Sequence, residues 1–170
     1  KNNIWFMSKK HENNLYTILL ILSRNTFFYN KIKLPDNFET RIYLMFLHFS
    51  IMLIIFKKKE LKFNQKLYDE LFHNIENNLR ELGFGDVSVN KKMKEMNKIL
   101  YDILLKLEFT KITKGNFNLN KKLVFKYFDT LKDNNNELFD ELSIYFSNFF
   151  DFCFELPPEI MVREAINFKY

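Results

Sequence analysis

LYDELFHNIENNLRELGFGDVSVNKKMKEMNKILYD, from Leu67 to Asp102, decides the fold. With Phe63 ahead of it and Leu82 at its end, Leu67, Tyr68, Leu71, Phe72, Ile75 and Leu79 recur at helical spacing. They form one broad apolar face with polar residues opposite, the pattern of an amphipathic helix starting near Asn64. Gly83 then offers a left-handed stop. After the GFGD turn, Met93, Met96, Ile99, Leu100, Ile103, Leu104 and Leu107 set the apolar face of a second helix, and Ser88 or Asn90 could cap it. Lys91, Lys92, Lys94 and Lys98 fall on its outer side.

The same reading extends in both directions. Leu15, Ile18, Leu19, Leu22 and Phe27 predict a helix from about Asn14 to Tyr29, capped by Asn13 or Asn14. Pro35 breaks it, and Asp36 with Glu39 has the form of a capping box for a helix carrying Arg41 through Phe56. The run from Ile42 to Phe56 contains His48 and Ser50 and is shorter than the ~20 apolar residues of a bilayer span. It reads as a buried core helix; a membrane span anchored by Lys57 to Lys59 is the alternative. Lys111 to Asn118, around Gly115, reads as a loop. Further helices are expected over Leu119 to Leu131, Glu137 to Phe154 and Glu159 to Phe168. The expected class is all-α, a single compact bundle of about six to seven helices over residues 1–170, with 1–12 a flexible segment.

Composition agrees. The chain has 170 residues, enough to bury a sizeable core. Its 21 Phe against three Gly and three Pro favour long helices over tight turns. Residues 1–128 carry 23 Lys and Arg against 12 Asp and Glu, while 129–170 carry three against nine. A basic body suits ribosomal RNA or anionic lipid, although a solvated lysine surface gives the same count. The lone Cys153 excludes an internal disulfide, and its Phe neighbours mark it as a small buried hydrophobe. Met7 is a candidate start, and the opening residues have no signal-peptide pattern, so secretion is not expected.

Candidate chemistry is sparse. Glu70 and His73 stand one helical turn apart, as in di-iron bundles, but no second such pair follows, so a solvated surface is expected and no metal. His48, inside the most apolar helix, needs a hydrogen bond to a neighbour; haem contact is the sharper alternative. No phosphate loop, CxxC or nucleophile elbow occurs, which disfavours an enzyme and implies no cofactor.

Three segments in order carry a resemblance: LYTILLILSRNTFFYNKIKLPD (15–36), RIYLMFLHF (41–49) and the opening stretch, most strongly from Asn78 to Met96. Leu15, Tyr16, Arg24, Phe28, Tyr29, Pro35, Asp36, Arg41, Leu47 and His48 are its further positions. The chain resembles the ubiquinol cytochrome c chaperone family, with likeness fading after about residue 110. Thr40, Tyr43 and Asn90 depart from the family's usual Gly, acidic residue and Pro.

The resemblance implies an all-helical, non-enzymatic assembly factor for the bc1 complex. It would receive newly made cytochrome b, or another bc1 subunit, near the ribosomal exit, together with a small protein partner. The composition suggests a bacterial, alphaproteobacterial-like member in the cytoplasm, peripheral at the inner membrane; a eukaryotic member would act at the matrix face of the mitochondrial inner membrane. Arg80, Glu81, Asp86, Lys91, Lys92 and Lys94 are the expected partner-binding residues, and Pro35, Asp36, Arg41, His48, Gly83 and Gly85 the structural motif. Met93 and Met96 are candidate client contacts. A ribosome- or RNA-docking module and a haem-handling protein are the alternatives.

Overall fold

A computed structural model describes residues 14–108, 117–133 and 136–170. Its α-helices are α1 (Leu15–Ser23), α2 (Phe38–Lys58), α3 (Gln65–Glu81), α4 (Asp86–Glu108), α5 (Lys121–Tyr127), α6 (Asn136–Glu155) and α7 (Pro158–Glu164). No strand occurs among the described residues, so the all-α expectation holds. The proposed flexible segment 1–12 and most of the Lys111 to Asn118 loop lie outside the described residues.

α2 is the axis of the packing, contacted by α1, α4, α6 and α7. Leu44, Phe46, Phe49, Ile51, Met52 and Ile55 are completely buried along it. Each such side chain contributes roughly 1.5–3 kcal/mol by leaving water. By length and composition α2 could cross a membrane, yet most of its apolar length is buried inside the fold, as expected of a core helix. Lys59, one of the candidate anchors, is engaged within the fold. Its Nζ donates to the Phe154 and Leu156 carbonyls at 2.7 and 3.1 Å, satisfying acceptors left free where α6 ends.

Several boundaries differ from the sequence reading. The first helix stops at Ser23 because the Asn25 side chain accepts from the Phe27 amide at 3.0 Å, replacing a helical bond. The Tyr29 hydroxyl caps the broken end by donating to the Ser23 carbonyl at 2.7 Å. A π-helical turn, Phe27–Lys31, follows and drives Phe28 into the core. Asp36 is not the cap of α2; Asn37 is, accepting from the Thr40 amide at 2.9 Å. α4 begins at Asp86, ahead of Ser88 and Asn90, and this shift makes Val89 a core residue. The fifth helix ends at Tyr127, and a short 3-10 turn, Asp129–Leu131, completes the segment.

Two helices end in the same way on different residues. After α3, the Gly83 amide bonds to the Arg80 carbonyl and the Phe84 amide to that of Leu79, with Gly83 at φ +95°. This is a Schellman stop on glycine. After α2, the Glu60 amide reaches the Lys57 carbonyl and the Leu61 amide that of Phe56, with Glu60 at φ 56°. Here a side chain occupies the position where glycine is easiest to accommodate.

α4 is tied to α5 through Asp102, which accepts from Lys126 at 2.7 Å and from the Tyr127 hydroxyl, and pairs with Lys106 at 2.9 Å. Burial alone would raise its pKa, but these donors bring it down to about 2.

Candidate functional site

The α3–α4 turn gathers most of the sequence-predicted binding residues. Arg80, on the last turn of α3, pairs with Asp86, the first residue of α4, and with Glu76 at 3.0 Å. Glu76, one helical turn before Arg80, escaped the sequence reading, although its i,i+4 spacing was visible. Asp86 therefore acts as an ion-pair partner at the positive end of α4 rather than as its cap. Glu81 stays outside this pair and acts instead on the field around Tyr16.

Gly83 and Gly85 play different parts. Gly83 holds the left-handed conformation; Gly85 does not, and a Cβ on either would meet open space. The turn raises Leu82, Phe84 and Val87 into solvent, with 58%, 37% and 85% of their surfaces exposed. Lys92 lies over the Phe84 ring at 4.8 Å, a cation–π contact. Lys91, Lys94 and Lys98 are exposed beyond it and make no ion pair among the described residues. The result is a small apolar ridge on a turn fixed by hydrogen bonds and ion pairs, bordered by positive charge.

Leu82 also lines a cleft of about 210 Å³ between α1, the start of α2 and the end of α3. Tyr16, Arg24, Arg41 and Asn78 face it over a floor that includes Ile42 and Met45. Tyr16, Arg24, Arg41, Asn78 and Leu82 are all positions on which the family resemblance rests. Only the fold shows that residues from three separate segments converge on one cleft.

A family model described as ubiquinol-cytochrome C chaperone matches residues 30–136, more than half of the chain. The chain belongs to the ubiquinol-cytochrome c chaperone family. Membership supports a ubiquinol-cytochrome c chaperone role and implies a client in the bc1 complex. The match starts later than the resemblance read from Leu15 and runs past residue 110, where that likeness faded. It takes in α2, α3, α4, α5 and the whole turn, and leaves Tyr16 and Arg24 outside. No curated relative and no solved structure matches the chain.

The remaining sequence candidates are placed differently. His48 is fully buried, and its Nδ1 lies 2.6 Å from the Leu44 carbonyl. A carbonyl only accepts, so Nδ1 carries the proton, and Nε2 accepts from the Tyr145 hydroxyl at 2.7 Å. Both nitrogens are engaged inside the fold, which leaves neither for a haem iron. Burial lowers the His48 pKa to about 4, against the opposing hydrogen bond to Leu44. Glu70 and His73 lie on the exposed side of α3, and no group of three metal-capable side chains occurs among the described residues. Cys153 is buried, and burial pushes its thiol pKa up, away from reactivity. Met96 belongs to the core, so it offers no client surface; Met93 is half-buried. Pro35 and Asp36 are exposed in the link before α2.

Proposed function

We propose that the chain is a non-enzymatic holder of newly made cytochrome b during assembly of the bc1 complex, acting at or near the membrane. The supporting observation is the exposed ridge of Leu82, Phe84 and Val87 within the segment that matches the family. A cytochrome b segment awaiting its membrane is apolar and requires an apolar surface to shield it from water. Three exposed apolar side chains close together in sequence on one turn supply one. The surrounding lysines keep the complex soluble and favour a site beside anionic lipid or ribosomal RNA.

No catalytic step is required for this role; binding and release suffice. Deleting the gene is expected to deplete assembled bc1 complex and cytochrome b while the cytochrome b transcript persists. Normal bc1 levels in the deletion strain would refute the reading. Complementation with a Phe84→Ser/Val87→Ser double variant, which removes apolar surface from the ridge and leaves the cleft lining untouched, is expected to restore bc1 only weakly.

A second reading, docking to the ribosome, draws on Lys91, Lys94 and Lys98, exposed along one helix. Co-sedimentation with ribosomes that falls steeply with salt and with Lys91→Gln/Lys94→Gln would favour it. Salt-insensitive co-sedimentation, or none, would set it aside.

A further inference from the structure

The cleft beside the turn contains polar groups that find no partner among the described residues. The side chains of Tyr16, Arg24, Arg41 and Asn78 line it, and none makes a hydrogen bond or ion pair with another described residue. Elsewhere the chain pairs its arginines where carboxylates are at hand: Arg80 has both Asp86 and Glu76, and Arg163 has Glu164. Two guanidiniums converging on one concave surface without a counter-charge repel each other and focus a positive potential there. Their shared field reaches Tyr16. Burial raises that phenol's pKa, Arg24 and Arg41 act in the opposite direction, and Glu81 adds to the rise. Asp36 acts on the neighbouring Tyr29 together with the same two arginines, but neither Glu81 nor Asp36 closes to ion-pair distance with them.

The shape limits the ligand as much as the charge does. A volume of about 210 Å³ is below the ~300 Å³ at which sites for small organic ligands begin. It accommodates one or two amino-acid side chains. The floor is apolar, formed in part by Ile42 and Met45, while the rim carries the donors. Guanidinium forks match carboxylates two bonds at a time, and the Asn78 amide and Tyr16 hydroxyl add donors of the right kind.

We propose that this cleft binds a short acidic segment of a partner protein, its carboxylate held by Arg24 and Arg41 and an adjacent apolar side chain seated on the Ile42–Met45 floor. The choice of a polypeptide ligand rests on the reading of the chain as a holder of other proteins; the charge and shape arguments do not. The site is distinct from the apolar ridge, but Leu82 belongs to both, so one partner could span them.

Fluorescence anisotropy of the full chain with three labelled peptides tests the proposal: one built of Leu and Glu, one of Leu and Gln, one of Leu and Lys. The Leu/Glu peptide is expected to bind at least about tenfold more tightly than the other two. Arg24→Gln/Arg41→Gln should abolish that preference, whereas Lys91→Gln/Lys94→Gln should retain it. Arg24→Lys/Arg41→Lys keeps the charge and loses the fork, so its affinity should fall several-fold without vanishing. Circular dichroism checks folding, and if the double variant unfolds, Arg24→Gln alone, at an exposed position, gives the same readout.

Three peptide results would overturn the proposal: no peptide binding, equal binding of the Leu/Gln peptide, or unchanged binding by the arginine variants. Flotation with phosphatidylglycerol vesicles that depends on Arg24 and Arg41 and is not competed by the Leu/Glu peptide would assign the cleft to lipid phosphate instead, and would also overturn it. Peptide binding is measured without reference to the bc1 complex. Loss of the assembly role with peptide binding intact, or the converse, therefore separates the two conclusions.

Discussion

His48 and the Arg24–Arg41 cleft are both polar places in a protein built from apolar helices, and they are finished differently. At His48 every polar atom has a partner: Leu44 on one nitrogen, Tyr145 on the other, and the rings of Phe28, Phe146 and Phe149 around them. In the cleft, four polar side chains have no hydrogen-bond or ion-pair partner among the described residues. A satisfied buried network specifies the packing of a core. An unsatisfied, concave and charged surface is available to something outside the chain. The difference separates residues that hold the molecule together from residues free to recognise another.

Substitution at His48 should produce the largest effect. His48→Ala removes a buried ring and leaves the Tyr145 hydroxyl without its acceptor, and should cost about 3 kcal/mol in urea unfolding. Tyr145→Phe strips only the donor from Nε2 and should cost about 1–3 kcal/mol. If either substitution proved neutral, His48 would not be a structural residue and the contrast would fail.

Acid should act through the same residue. In the unfolded chain His48 takes up its proton near pH 6.5, whereas in the folded protein it does so only near pH 4. Between those values the unfolded state binds more protons, so stability is retained above pH 6.5 and falls as pH drops toward 4. The loss approaches about 3 kcal/mol and then levels off as the folded form also protonates. Urea titrations at a series of pH values should show this fall in the parent protein and a flatter profile in His48→Gln.

The two Schellman stops give a smaller, paired effect. Gly83→Ala should destabilise by about 1 kcal/mol through its positive φ alone, since no atom lies near the new Cβ. Glu60→Gly should stabilise by up to about 1 kcal/mol for the opposite reason. Smallest of all, Arg24→Gln should change stability by less than about 0.5 kcal/mol, because that exposed side chain makes no hydrogen bond or ion pair with another described residue. A large loss there would show that the cleft is structural after all.

These contrasts also show what the sequence could reveal. Periodicity located α1, α3 and α4, because their apolar residues recur regularly, while the Pro35 break and the apolar run from Ile42 to Phe56 marked α2 and identified His48 as a core histidine requiring a partner. Gly83 was legible because glycine advertises a left-handed stop; Glu60, in the same conformation, gave no sign. Boundaries failed where a side chain competes with the helix ladder, as Asn25 does at the end of α1, or where the cap sits one residue along, as Asn37 does. Of the candidate site, the Arg80–Asp86 turn and the lysine face could be read because they are contiguous in sequence. The cleft could not, because Tyr16, Arg41 and Asn78 meet only through the packing of three helices.

Site-specific photo-crosslinking in cells assembling the bc1 complex tests the central claim most directly. A crosslinker at Val87, on the exposed ridge, is compared with one at Ile144, an exposed apolar position on α6. Newly made cytochrome b is expected to be captured from Val87 and not from Ile144. Capture from Ile144 alone, or from neither position while bc1 assembly proceeds, would contradict a client-holding role for the α3–α4 turn.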